Sequence, residues 1–313
     1  MTDATQLEAA RSRAAISRTV GSLAARGTKQ VPSREAQPPS GAATSRAAGS
    51  RVAGSRAASS RLGVRPADRG AGRFEAGIHV LRSFLVDRVY ANHNQSTPVR
   101  RALSDLLGEL ERSGDWGLDA GAGQKKAHPR LLAVDVRPNP TLDCVASAEA
   151  LPFAAASLRL VVSQEVVEHV ADPWLAVAEL ARVLIPGGRL YLQAPFVIGY
   201  HASPRDYWRF TGEGLERLVE SAGLEVERLD LSVGAGSGMY RIAVEFWAVL
   251  AAAAWSRLYL PVKALGALLL RPLCLADRLT ASSPAADRIP GGYFAIAVKP
   301  PRPARSDADG PIR

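Results

Sequence analysis

The run Gly117-Leu118-Asp119-Ala120-Gly121-Ala122-Gly123-Gln124, followed by Leu131-Leu132-Ala133-Val134-Asp135, restricts the fold more than any other stretch of the chain. An apolar strand that feeds a glycine turn brings backbone N–H groups against a ligand, because no Cβ holds the chain off. A lone acid closing the next apolar run then stands at the end of the neighbouring strand, within reach of the same ligand. A glycine pair by itself is a common turn device. The order of the segments downstream makes this one informative.

Around it, apolar periodicity predicts an alternation of helices and strands. A helix over about 98–112 places Leu103, Leu106, Leu107 and Leu110 on one side and ends at Gly114. Strands are expected at 116–120, 130–135, 143–146 and 158–163. Asp172-Pro173 offers an N-cap and a first-turn proline to a helix running to Ile185, which Pro186-Gly187-Gly188 stops before a strand at 189–194. Thr211 caps a further helix closed by Gly223, and strands near 224–232 and 293–298 complete the pattern. Such alternation argues for an α/β sheet covered on both faces. Between Gly123 and Leu131 lie only seven residues, one of them Pro129, so the first crossover has room for about two helical turns at most and must be short or irregular.

Three further segments complete the chemistry: Ser147-Ala148-Glu149-Ala150-Leu151-Pro152-Phe153, Ser163-Gln164-Glu165-Val166-Val167-Glu168-His169-Val170, and Arg182-Val183-Leu184-Ile185-Pro186-Gly187-Gly188. In this order, over about 113–234 and again at 291–299, the chain resembles class I S-adenosylmethionine-dependent methyltransferases with a type 11-like domain. The resemblance implies a doubly wound, mostly parallel seven-stranded sheet, a Rossmann-like fold. It implies S-adenosyl-L-methionine as cofactor, with Asp119, Gly121 and Gly123 around its methionine part and Asp135 on both ribose hydroxyls. The segment from Ser147 matches the one lying against adenine, Ser147 standing where an acid is usual and Ala148 offering its N–H to the ring. An uncharged hydroxyl makes the weaker bond. Gln164 or Glu165 is placed to touch the cofactor, while Glu168 and His169 read as a pair fixing the loop. The Arg182–Gly188 stretch marks the fold and carries no chemistry.

Tyr200-His201-Ala202-Ser203-Pro204-Arg205-Asp206-Tyr207-Trp208-Arg209-Phe210-Thr211 comes after the fifth strand, where the acceptor pocket lies in this fold. Its polar groups and aromatics suit a polar ring such as a sugar, with His201 or Asp206 as general base for a hydroxyl acceptor. The alternative is a loop held by an Arg209–Asp206 pair with the aromatics in the core.

The formal charge of +9 concentrates in residues 1–72, whose Arg-, Ala- and Ser-rich sequence carries a net +8, leaving 113–300 near neutral and without a nucleic-acid groove. Its SRAAG-like period of five fits neither helix nor strand, so 1–72 reads as a disordered tail. Residues 73–112 form a helical preface, including a stripe over 77–90, and 301–313 a second disordered tail. No secretory signal is legible at the amino terminus. Cys144 and Cys274 suggest neither a disulfide framework nor a zinc cluster, and no metal site is expected. Residues 241–280 form an apolar helical insert before the last strand, with the unbroken run Phe246–Trp255 and a second one at Ala264–Leu270. Both are short of the ~20 residues of a spanning helix, and Arg257, Lys263 and Arg271 flank them as expected of a membrane interface. A cap over the pocket or a dimer contact uses the same residues. The expected function is methyl transfer to a small-molecule, sugar-containing or lipid-linked acceptor, by a cytoplasmic protein with peripheral contact to the membrane inner face. Methylation of a soluble metabolite such as a quinone precursor, or a non-catalytic membrane-associated module keeping the fold, are the rivals.

Overall fold

The computed structural model describes residues 96–280 and 283–301. The expected tail at 1–72, the one at 301–313 except for Pro301, and the helical stripe at 77–90 lie outside them. The order of elements is α1 (Thr97–Ser113), β1 (Gly117–Ala120), β2 (Leu131–Asp135), β3 (Cys144–Val145), β4 (Leu158–Gln164), α2 (Pro173–Val183), β5 (Leu184–Pro195), α3 (Gly212–Glu220) and β6 (Glu225–Val233). Then come α4 (Ala235–Ala254), α5 (Tyr259–Leu269), a 3-10 turn at Arg271–Ala276, α6 (Asp277–Thr280) and β7 (Gly292–Val298). The seven strands form one sheet in the order β3-β2-β1-β4-β5-β7-β6, with β7 antiparallel to both neighbours and the other pairs parallel.

Alternate side chains along the strands divide the core between the two faces. Leu118, Leu132, Val134, Val161, Leu190 and Leu192 join Val177 and Leu180 of α2 and Leu215 and Leu218 of α3. On the other face Leu131, Leu160, Val162, Tyr191 and Phe294 pack against Val99, Ala102, Leu106 and Leu110 of α1. The α1 stripe is therefore as its spacing predicts, with Gly114 closing the helix at φ 74. Asp172 caps α2 by accepting from Leu175 N, and Thr211 caps α3 by accepting from Gly214 N.

Two local differences from expectation have physical causes. The helix α2 stops at Val183, and β5 starts at Leu184, running through Pro186-Gly187-Gly188 instead of after it. The cap is remote in sequence: Lys299 Nζ donates to the carbonyls of Ala181 (2.7 Å), Arg182 (3.3 Å) and Leu184 (2.7 Å). An ammonium at a helix C-terminus answers both its orphan carbonyls and its dipole. Gly187, at φ 75, then takes a bulge between Leu158↔Leu184 and Leu160↔Arg189. The first crossover contains no helix, only turns from Gly121 to Arg130, in keeping with its shortness.

The insert opens earlier than the apolar run suggests, at Ala235. Gly234 has no side chain to cap α4, and Asp277 does so from α6: its Oδ1 accepts from Gly236 N (2.7 Å) and Ser237 N (3.2 Å). Tyr240, Val244 and Ala267 form a small core between α4 and α5. Outside that core, Phe246, Trp247, Leu250, Trp255, Leu265, Leu268 and Leu269 are each more than half exposed. No single described helix is long and apolar enough to cross a membrane. Only the bent pair Ser256–Leu269 and Arg271–Thr280, broken at 42°, has the length and composition, and only taken together.

Candidate active site

The carboxyl ends of β1, β2 and β4 open onto one cleft of about 390 Å³, within the size range of small-molecule sites. Its floor is the glycine turn. Gly121 N and Ala122 N donate to Val134 O, at 2.8 and 3.0 Å, tying the turn to β2. Asp135, buried at the end of β2, accepts from Gly123 N through Oδ2 (3.0 Å) and from Arg137 N through Oδ1 (2.9 Å). Asn139 Nδ2 donates to Gly123 O at 2.7 Å. The acid and the turn are thus held as one piece before any ligand arrives.

The two glycines differ. At Gly123, φ is +59 and an added Cβ would meet nothing within 4 Å, so its open side is the cleft itself. At Gly121, φ is +82 and a Cβ would stand 2.1 Å from Val166 Cγ2. Gly121, which also lines the cleft, is thus required by packing against the β4 loop. Asp119 does not line the cleft. It is buried on β1, accepts a backbone hydrogen bond from Ala127, and burial pushes its carboxyl up to about 6.

Ser147 and Ala148 line the far wall, as expected of a segment facing a flat ring. Ser147 Oγ accepts from Glu149 N (3.1 Å), and Glu149 Oε1 accepts from Asp172 N (2.9 Å), so Glu149 serves the loop. The segment is pinned from α2: Arg182 donates to Phe153 O (2.8 Å), Leu151 O (3.1 Å) and both oxygens of Glu179, whose Oε2 accepts from Leu151 N. The Arg182 stretch therefore does more than mark the fold. From β4, Glu165 lines the cleft at φ 56, a left-handed conformation that is costly for a side chain this size. Gln164 does not line it; its amide donates to Gln193 Oε1 at 3.2 Å. Of the residues expected to bind a cofactor, Gly121, Gly123, Asp135, Ser147 and Ala148 are brought together, and Asp119 and Gln164 stand behind them.

The segment 200–211 separates this cleft from a second of about 210 Å³. Ser203, Arg205 and Tyr207 face the first, while Tyr200 and His201 face the second with Arg241, Glu245 and Lys263 of the insert. Asp206 is the keystone of the segment, its side chain 1% exposed. It accepts from Arg209 Nη1 (2.5 Å), Arg209 Nη2 (2.7 Å) and His201 N (2.8 Å). The Arg209 guanidinium holds its carboxyl down at about 2. A carboxylate so committed is a poor proton acceptor, which removes Asp206 as a candidate base. The aromatics divide: Phe210 and Trp208 pack into the core, whereas Tyr200 and Tyr207 stay exposed.

His201 lies over a group that sequence reasoning treated as structural. Glu168 is fully buried behind β4, and neither of its carboxylate oxygens receives a hydrogen bond. His169 Nε2 and His201 Nε2 stand off Oε1 at 3.5 and 3.8 Å, outside the ~2.7–3.2 Å of N–H···O bonds. Burial pushes Glu168 up to about 7, the Glu168 carboxylate raises His201, and burial lowers His169. His169 also fixes the loop, its Nδ1 meeting Arg205 O at 2.6 Å, as do the amides of Tyr207 and Trp208, which donate to Glu168 O.

Residues 118–192 match the family model described as a methyltransferase domain. Uncharacterized methyltransferases of Mycobacterium tuberculosis, in strains H37Ra, CDC 1551 and H37Rv, are 28% identical over 140 residues, 43% of this chain and 55% of theirs. The chain spans about half the length of these curated relatives. Among solved structures, phosphoethanolamine N-methyltransferase 2 of Haemonchus contortus with S-adenosyl-L-methionine is 18% identical, covering 76% of this chain and 62% of that one, at a TM-score of 0.41. The 1,6-didemethyltoxoflavin-N1-methyltransferase of Burkholderia thailandensis is 16% identical, covering 75% and 94%, at 0.38. The matched segment runs from β1 into β5 of the β3-β2-β1-β4-β5-β7-β6 sheet, so the stretch that builds the cleft is the one similar to a methyltransferase domain.

Proposed function

We propose that the chain transfers a methyl group from S-adenosyl-L-methionine to a small acceptor that is sugar-containing or lipid-linked. The observation that carries the reading is the preformed cleft at the carboxyl ends of β1, β2 and β4, with Asp135 and the Gly123 amide already locked together. The residues fit the cofactor by chemistry. Asp135 would accept from the ribose hydroxyls with the lone pairs its two backbone partners leave over, and Ala148 and Ser147 would face the adenine. The cofactor supplies a methyl group on a charged sulfonium; the protein's task is alignment, which accounts for most of the acceleration in such a displacement. For a hydroxyl acceptor, His201 is the remaining candidate base. The second cleft supports the acceptor class: Tyr200 and His201 can stack on and hydrogen-bond a sugar, beside Arg241 and the Lys263–Glu245 ion pair.

Peripheral membrane contact through α4 and α5 belongs to the same reading, because the exposed Trp247, Leu250, Trp255 and Leu268 adjoin an insert that lines the acceptor cleft. Calorimetric titration with S-adenosylhomocysteine tests the cofactor site. Wild type should bind, and Asp135→Ala should lose more than about 1 kcal/mol, having lost a charged acceptor for two hydroxyls. Equal affinity in both would place the cofactor elsewhere.

A further inference from the structure

We propose that Glu168, His169 and His201 form a binding site for one divalent transition-metal ion of the zinc class, between the two clefts. The ligand atoms that these three residues offer all lie within 4.8 Å of one another. In a tetrahedral site with bonds of ~2.0–2.2 Å, ligand atoms stand roughly 3.3–3.5 Å apart. The observed 3.5 and 3.8 Å from Glu168 Oε1 to the two imidazole Nε2 atoms are close to that spacing, and the two imidazole nitrogens lie within 4.8 Å of each other.

Orientation supports the same reading. His169 Nδ1 lies 2.6 Å from Arg205 O and His201 Nδ1 lies 3.1 Å from Gly199 O. A ring nitrogen facing a carbonyl carries the proton, so in neutral His169 Nε2 keeps its lone pair; the same tautomer suits His201, whose Nδ1 is nearer Gly199 O than Arg209 Nη2, at 3.1 against 3.5 Å. A second-atom hydrogen bond to backbone is how metal-bound histidines are fixed in tautomer and direction. Both Nε2 atoms face the same oxygen of Glu168. With Glu168 ionised and both imidazoles neutral, three acceptors converge, and either a proton or a metal ion between them relieves the repulsion. Glu168 is fully buried and its oxygens lie beyond hydrogen-bond distance of any partner, so the cluster has room for an ion where a direct bond is not made. Two imidazoles with one carboxylate favour zinc and its neighbours over magnesium or calcium, which take mainly oxygen.

Three protein ligands leave a fourth position open, as in sites that bind a reactant. Resting on the methyltransferase reading, that position faces the acceptor side, since His201 lines the second cleft. A bound ion takes up the lone pair that His201 would offer as a base and supplies Lewis acidity in its place, lowering the pKa of a ligated hydroxyl.

The test is zinc titration of the full, metal-stripped chain by calorimetry, with cobalt as a spectroscopic probe. The wild type should take up one ion, melt at higher temperature with zinc, and give the visible cobalt absorption of a tetrahedral site. His201→Ala and His169→Ala should each weaken binding by more than the about 10–100-fold typical of losing an outer-shell partner, with melting of the metal-free protein little changed. Glu168→Gln should also lose affinity, while His128→Ala, at a histidine remote from the cluster, should keep it. Uptake that survives His201→Ala, or absence of uptake by wild type, overturns the site; a proton on one imidazole then answers Glu168. S-adenosylhomocysteine binding in the same samples separates failure of the metal site from failure of the methyltransferase reading.

Discussion

At Gly121 and Gly123, two residues of one turn, the same substitution should fail for different reasons. Both have positive φ, so an alanine costs roughly 1–2 kcal/mol at either. Only at Gly121 does the new Cβ also collide with Val166. Gly123→Ala should therefore fold and bind S-adenosylhomocysteine weakly, whereas Gly121→Ala should be unfolded further, and adding Val166→Ala should restore part of its stability. Denaturant melts of the three variants check this; equal stability losses at both glycines would mean that the collision relaxes away. Asp119 gives a pH signature. Its carboxyl is at about 6 in the folded chain against 3.8 for an unburied one, so its contribution is fully present below 3.8 and is lost as pH rises through about 6. A shift of that size corresponds to about 3 kcal/mol. Asp119→Asn, which keeps the carbonyl for Ala127, should gain on wild type across pH 4 to 6; parallel stability curves would refute the buried, raised carboxyl.

The glycine turn and Asp135 were legible in the sequence because each is a local device. Their function depends on chain geometry within a dozen residues. Asp206 was legible only as a candidate, since sequence spacing cannot say whether a carboxylate meets a ligand or an arginine three residues on. Glu168 was legible as half of a pair fixing the loop, which its carbonyl does for Tyr207 and Trp208, but the burial of its side chain is a property of the packed sheet.

At the scale of elements, the segment 200–211 is a strap whose own turns are tied together by one side chain. Arg209 donates to Asp206, Trp208 O and Gly199 O together. Arg209→Ala strands a nearly inaccessible carboxylate and should cost about 3–5 kcal/mol, as removal of one partner from a buried pair does. Arg209→Lys, with a point charge in place of a fork, should recover only part. Chemical denaturation distinguishes these, and a loss under 1 kcal/mol for the alanine would show the strap held elsewhere. Helix α1, the caps of α2 and α3 and all seven strands were readable from periodicity and capping residues. The end of α2 and the start of α4 were not, because their caps arrive from far along the chain: Lys299 reaches back 118 residues to Ala181, and Asp277 reaches back 41 to Gly236.

For the molecule as a whole, the apolar surface of α4 and α5 is the feature that its solution behaviour should reveal. If it meets a membrane, the full chain should float with anionic vesicles, and Trp247→Ser with Trp255→Ser should release it, two amphipathic anchors being lost. Added salt should weaken the attachment as it screens Arg257 and Arg271. A wild type that stays in the dense fraction at low salt, while the double variant changes its elution from a sizing column, would assign the surface to self-association.

The Lys299 cap also bears on how the chain is made. On the ribosome α2 emerges long before residue 299, and until then the carbonyls at its end have only water. The strand that ends just before the lysine is the one that must slide between β5 and β6, joining the two antiparallel pairings at the same moment. Two half-built edges, each a template for wrong pairing, stay open until β7 is made. Closure of the sheet is thus a single late event that seals a helix and two edges together, and a nascent chain halted before β7 is a substrate for chaperones or proteases.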